Sequence, residues 1–90
     1  MANIQTIDRL INDGEYEKAI DALSEAITAA SDDDSLHFRL GKLLWRLDRR
    51  AEATSEFLKA IAINPDSPAN IALRAARDVA DFFNPDLYNP

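Results

Sequence analysis

The sequence predicts an all-α fold that consists of two antiparallel helical hairpins followed by a fifth helix. Three observations lead to this prediction. Apolar residues recur at three- and four-residue spacing along most of the 90-residue chain. The whole pattern returns with a period of about 34 residues. Only two glycines and four prolines occur, so long stretches are free to be helical.

A shift by one such period aligns the chain with itself without a gap. The aligned pairs are Leu10 with Leu44, Ala19 with Ala53, Leu23 with Phe57, Ala26 with Ala60 and Ile27 with Ile61. The turn residue Gly14 falls on Asp48, another residue type that tolerates turn conformations. Internal repeats of this length are typical of stacked helical hairpins.

The first unit, about residues 1–33, is predicted to be one hairpin with its turn at residues 12–15. The apolar residues of its first helix are Ile4, Ile7, Leu10 and Ile11. Those of its second helix are Tyr16, Ala19, Ile20, Leu23, Ala26 and Ile27. The acidic run Asp32 to Asp34 then separates the units and supplies N-cap oxygens to the next helix.

The second unit, residues 34–67, repeats the scheme with a turn at residues 48–50. Its apolar residues are Leu36, Leu40, Leu43, Leu44 and Leu47, then Ala53, Phe57, Ala60, Ile61 and Ile63. Pro65 ends this hairpin, because proline disfavours a helical residue before it. Ser67 and Pro68 are predicted to start the fifth helix as its N-cap and first helical residue.

The fifth helix is predicted over 68–83, as the cap of a single domain that spans 1–90. Its apolar stripe is predicted to be Ile71, Ala75, Val79 and Phe82. Pro85 ends it and leaves a short tail at 84–90.

Charge and composition exclude several classes of function. The net charge is −6, which argues against general nucleic-acid binding. The chain lacks cysteine, a signal peptide and a membrane-length apolar run, so we expect a cytoplasmic protein without membrane contact. Residues 1–33 carry eight acids and two bases, whereas 34–67 carry five acids and six bases. An anionic partner should therefore meet the middle of the chain.

The second unit resembles a tetratricopeptide (TPR) repeat, whose pattern is W-x2-L-G-x2-Y, then A-x3-F, then P. The matching residues are Leu40, Gly41, Ala53, Phe57, Ala60 and Pro65, while His37 replaces the tryptophan and Leu44 the tyrosine. The first unit matches more loosely and has Ile7 in place of the glycine. The resemblance implies a right-handed α-α superhelix that binds proteins and is not an enzyme.

Candidate catalytic and metal-binding residues are few. His37 is the only histidine, and the resemblance places it where the family packs an aromatic residue, so we predict a packing role. Asp32, Asp33 and Asp34 lack the spacing of a calcium loop and are interpreted as linker and cap. We therefore expect no catalytic residues, no cofactor and no metal.

The resemblance places Phe38, Lys42, Trp45 and Arg46 on the concave, groove-lining side of the third helix, and Arg39 beside them. Their spacing of i, i+4, i+7 and i+8 puts the four on one helix face. Aromatic and cationic side chains together favour binding of a protein or peptide that carries an acidic group. This hypothesis predicts an exposed Trp45. The alternative is that residues of neighbouring helices cover both aromatics, namely Ile4, Asp8, Ile11, Ala72 and Ala76.

A second hypothesis is a structural module that forms homo-oligomers. About three repeats are usually needed for a continuous core, and this chain has two and a half. Phe82 and Phe83 would then contact a second copy.

Overall fold

A computed structural model of the protein describes residues 3–75. It contains the helices α1 (Ile4–Asn12), α2 (Tyr16–Ala29), α3 (Asp34–Arg46) and α4 (Arg50–Ile63). A fifth helix, α5, begins at 69 and continues to the end of the described range at 75. Successive helices pack against one another in chain order, α1 on α2, α2 on α3 and α3 on α4. No strand occurs between residues 3 and 75.

Side-chain oxygens cap three of the helix starts. The Oδ1 of Asn3 accepts a hydrogen bond from the backbone N–H of Thr6 at 2.9 Å. Asp33 caps α3 in the same way, accepting from the N–H of Ser35 at 3.0 Å. The hydroxyl oxygen of Ser67 accepts from the N–H of Ala69 at 3.1 Å and so caps α5. These bonds satisfy donors that a helix leaves free at its start, as predicted for the acidic run and for Ser67.

The two hairpin turns have the same backbone geometry. After α1, the N–H of Glu15 bonds to the carbonyl of Leu10 at 2.9 Å, with Gly14 at φ 78°. After α3, the N–H of Arg49 bonds to the carbonyl of Leu44 at 2.9 Å, with Asp48 at φ 62°. Both are Schellman motifs, which end a helix with one residue in the left-handed region. The predicted equivalence of Gly14 and Asp48 is therefore confirmed.

The core is built from the same positions in both units. Ala19, its counterpart Ala53 and Leu23 are completely buried. Phe57, the counterpart of Leu23, is 2% exposed. Alanine at the helix crossings lets the axes approach closely, so the larger side chains can fill the remaining space. The two units therefore repeat their packing positions as well as their sequence pattern.

One packing position is filled in opposite ways by the two units. In the first unit, Ile7 is 1% exposed and packs in the same core as Leu23, which is smaller than its counterpart Phe57. In the second, Gly41 lies against the large ring of Phe57, so closely that a Cβ atom at residue 41 would be 2.5 Å from the ring. The resemblance placed glycine at this position, and the ring contact is its physical reason.

Polar side chains also connect neighbouring helices. The Nδ1 of His37 lies 2.9 Å from the Oε1 of Glu56, which joins α3 to α4 at a largely buried site. Arg49 donates two hydrogen bonds to Glu52, at 3.0 and 2.8 Å, and reaches Glu17 of α2 at 3.3 Å. The hydrogen bond from Arg49 holds the pKa of the Glu52 carboxyl below its ordinary value. His37 thus has the predicted packing position and also a hydrogen-bond partner.

The predicted buried stripe of α5 is wrong for its described part. Ile71 is 74% exposed and Ala75 is also exposed, whereas Ala69 and Leu73 are buried. Each of the two competing faces pairs a small with a large apolar residue at i, i+4, and the structure buries the face that holds Ala69 and Leu73. The predicted residues Val79 and Phe82, and the tail, lie outside the described residues, as do Phe82 and Phe83 of the self-association hypothesis.

We predict that Gly41→Ala destabilises the protein. Glycine to alanine within a helix ordinarily stabilises it by about 1 kcal/mol, so the sign of the change is informative. Here the added methyl group meets the Phe57 ring, and we expect a net loss of about 1–3 kcal/mol in the free energy of unfolding. Urea unfolding followed by circular dichroism measures this, with Ser55→Ala in α4 as the control. A midpoint that stays unchanged or rises would contradict the prediction.

We also predict opposite effects of one substitution at two turn residues. Asp13 has φ −81°, whereas Asp48 has φ 62°. Asp13→Gly should lower the free energy of unfolding by about 0.5–1 kcal/mol, because glycine loses more backbone entropy on folding. Asp48→Gly should leave it unchanged or raise it, because glycine relieves the left-handed strain. Thermal unfolding of both variants tests this, and equal changes would contradict it.

Candidate protein-binding groove

A cleft of about 230 Å³ lies between α1 and α3. The side chains that line it are Ile7, Asp8 and Ile11 of α1, and Arg39, Lys42, Leu43 and Arg46 of α3. The α3 residues follow one another at i, i+3, i+4 and i+7, which is one face of a helix. The cleft therefore combines the half-buried Ile11, which lies beside the buried Ile7 and Leu43, with cations along its α3 wall. We call it the α1–α3 cleft.

Two of the cations have no acidic partner in the part of the chain that the structure describes. Lys42 and Arg46 are exposed and form no ion pair among residues 3–75. The Nζ of Lys42 lies 5.2 Å from the centroid of the Phe38 ring, within the range of a cation–π contact. Arg46 lies in the last turn of α3, where a cation also stabilises the helix C-terminus.

The third cation is paired across the cleft. The Nη1 of Arg39 donates to the Oδ1 of Asp8 at 3.2 Å, which connects α3 to α1. The side chains are 41% and 53% exposed, so water screens their attraction. The contact is made through one nitrogen and one oxygen, whereas a guanidinium and a carboxylate can form two parallel bonds.

The aromatic residues lie beside the cleft and not in its lining. Phe38 and Trp45 are half-buried and pack against the hydrophobic core. The Phe38 ring is tilted against that of Phe57, with 6.1 Å between the centroids. The guanidinium of Arg50 lies 4.9 Å from the centroid of Trp45 and covers part of its face. The expected exposed tryptophan is therefore half-buried, between the two alternatives that the sequence leaves open.

Of the five candidate residues, the structure brings three into one cleft, namely Arg39, Lys42 and Arg46. The opposite wall was not assigned to the site from the sequence. The sequence predicts Ile7 and Ile11 as apolar residues of the first helix, and Asp8 and Ile11 also as residues that could cover the aromatics. Asp8 and Lys42 lie one repeat period apart and so occupy the same repeat position. This signal could have placed Asp8 beside the cations.

The acidic run at the start of α3 caps this helix and connects it to the end of α4. Asp33 caps α3, and the Oδ2 of Asp34 accepts a hydrogen bond from the amide of Asn64 at 3.3 Å. No cluster of three or more metal-binding side chains occurs between residues 3 and 75. Within the same range, no helix has the length and apolar character that a membrane span requires.

Comparisons with known proteins support the helical-repeat interpretation. A family model described as tetratricopeptide repeat matches residues 10–76. The solution NMR structure of a Bacteroides fragilis protein is similar, with 34% sequence identity and a TM-score of 0.83. The match covers 99% of this chain and 91% of that one. No curated protein matches significantly. The predicted all-α repeat fold is thereby confirmed.

We predict that the Asp8–Arg39 pair contributes little to stability. A double-mutant cycle of Asp8→Asn, Arg39→Gln and the double variant should give a coupling energy below about 1 kcal/mol, because both side chains are about half exposed. Urea unfolding followed by the fluorescence of Trp45, the only tryptophan, supplies the free energies. A coupling above about 2 kcal/mol would show that the pair holds α1 and α3 together.

Proposed function

We propose, because this chain belongs to the tetratricopeptide repeat family, that it binds a segment of another protein in the α1–α3 cleft. Repeats of this family generally mediate protein–protein interaction and are generally not enzymes. The observation that supports the proposal is the composition of the cleft, which offers aliphatic surface beside two cations without an acidic partner in the described range.

The proposed roles of the five candidate residues differ. Lys42 and Arg46 attract and bind an acidic group of the partner through charge-assisted hydrogen bonds. Arg39 adds a third donor at the same wall. The ring of Phe38 holds the Lys42 side chain in place through the cation–π contact, and Trp45 extends the apolar surface beside the cleft.

The partner segment should carry an acidic residue next to an apolar one. The half-buried side chain of Ile11, beside the buried Ile7 and Leu43, is suited to an apolar side chain, which gains free energy by leaving water. The cations lie on one wall only, so the acidic group should point toward α3. Buried area and charge pairing together give both affinity and orientation.

We predict that Arg46→Glu abolishes capture of the partner, whereas Arg9→Glu does not. Both arginines lie in the last turn of their helices, Arg9 in α1 and Arg46 in α3, so both substitutions remove a favourable helix-end charge. Of the two, only Arg46 lines the cleft. The tagged wild type and the two variants, matched in melting temperature, are compared by affinity capture and quantitative mass spectrometry.

The proposal is supported by a protein that the wild type and Arg9→Glu retain and whose captured amount falls at least tenfold with Arg46→Glu. The binding segment of that protein should also contain an acidic and an apolar residue. Trp45→Ala should weaken the same interaction to a lesser extent. Identical captured proteins for all four chains would contradict binding in the cleft.

A further inference from the structure

We propose that Asp8 acts as an internal competitor for the acidic group of the partner, so that binding exchanges the Asp8–Arg39 ion pair for a pair between Arg39 and the partner's carboxylate. This inference rests on the proposed function. It commits to one ligand chemistry, a carboxylate-bearing segment of a partner protein. It makes Asp8 a residue that sets both affinity and selectivity.

Asp8 lies inside the cleft. It lies on the α1 wall and directs a carboxylate oxygen to Arg39 on the α3 wall, 3.2 Å away. Among the described residues it is the only acidic one in the lining of the cleft, which also contains three cations. A carboxylate inside a cationic site already occupies the place that an acidic ligand would take.

The Asp8–Arg39 pair is held by a single hydrogen bond. Arg39 uses one nitrogen toward Asp8 and forms no other side-chain ion pair or hydrogen bond among residues 3–75. A ligand carboxylate that approaches from solvent can meet two guanidinium nitrogens in parallel, which is the stronger arrangement. Because the existing pair is about half exposed, its opening costs little, and Asp8 returns to water.

The neighbouring charges favour the exchange in one direction. Lys42 and Arg46 lie on the same wall as Arg39, so a ligand carboxylate interacts with three cations. Asp8 approaches this row from the opposite helix, and within the described part of the chain its carboxylate pairs with Arg39 alone. A neutral ligand gains nothing at Arg39, and the ion pair stays closed. Asp8 therefore weakens the binding of acidic ligands slightly and leaves the binding of neutral ligands unchanged.

Fluorescence anisotropy with two labelled synthetic peptides tests the inference. One peptide alternates leucine and glutamate, and the other has glutamine at every glutamate. The variants are Asp8→Asn, the matched control Asp21→Asn on the exposed face of α2, and Asp8→Asn combined with Arg39→Gln. Both single variants raise the net charge by one, so their difference reports on position alone.

We expect Asp8→Asn to bind the acidic peptide about threefold to fivefold more tightly than Asp21→Asn does, and the glutamine peptide equally. The gain should shrink at high salt, about 0.5 M, where exposed charges are screened. It should disappear when Arg39→Gln is added. A gain that persists without Arg39 would overturn the inference, because Asp8 would then act by general repulsion.

Failure of the inference and failure of the proposed function give different results. If the acidic peptide binds the wild type, is lost with Arg46→Glu and does not distinguish Asp8→Asn from Asp21→Asn, the competitor role of Asp8 is wrong and the binding cleft remains. If Arg46→Glu changes neither peptide binding nor partner capture, the cleft itself is not the binding site. If Asp8→Asn fails to bind the acidic peptide, the inference is overturned.

Discussion

The contact between Gly41 and the ring of Phe57 is the constraint on which the second hairpin depends. Only a residue without a side chain leaves room for the ring between α3 and α4. The ring in turn lies against Phe38, and Phe38 lies beneath Lys42. A packing requirement inside the hairpin thus fixes the position of a cation on its surface. The binding face and the core are therefore not independent parts of this molecule.

Repetition with unequal side chains explains how the cleft acquires its character. Residues at the same position of successive repeats lie side by side along a stacked array. Asp8 and Lys42 share one such position, so an acid from the first unit borders the cations of the second. The first unit fills its own core with Ile7 and Leu23, and Ile7 also reaches the cleft. Two hairpins of one design thereby form a surface that neither would form alone.

The sequence predicted what depends on local pattern. The hairpins, the equivalence of Gly14 with Asp48 and the cap at Ser67 follow from spacing and turn chemistry, which act within a few residues. The grouping of the cations on α3 follows from the same periodicity. The pairing of Arg39 with Asp8 joins distant parts of the chain, and it depends on how two helices are placed against each other. The inward face of α5 was not predicted because two faces compete, Ile71 with Ala75 and Ala69 with Leu73, and each pairs one large with one small apolar residue at i, i+4.

The exposed face of α5 shows how such an array can be lengthened. Ile71 and Ala75 occupy the positions of His37 and Gly41, which are buried in the second unit. In α5 the same positions face solvent, so the helix already has the register of an interior repeat. An added helix with the sequence pattern of α4 should pack against this face of α5. Its phenylalanine would have to give way to a smaller residue, because Ala75 carries the methyl group that Gly41 lacks. Helices added to this chain by engineering should therefore keep the spacing of its repeat, so that the packing positions stay in register.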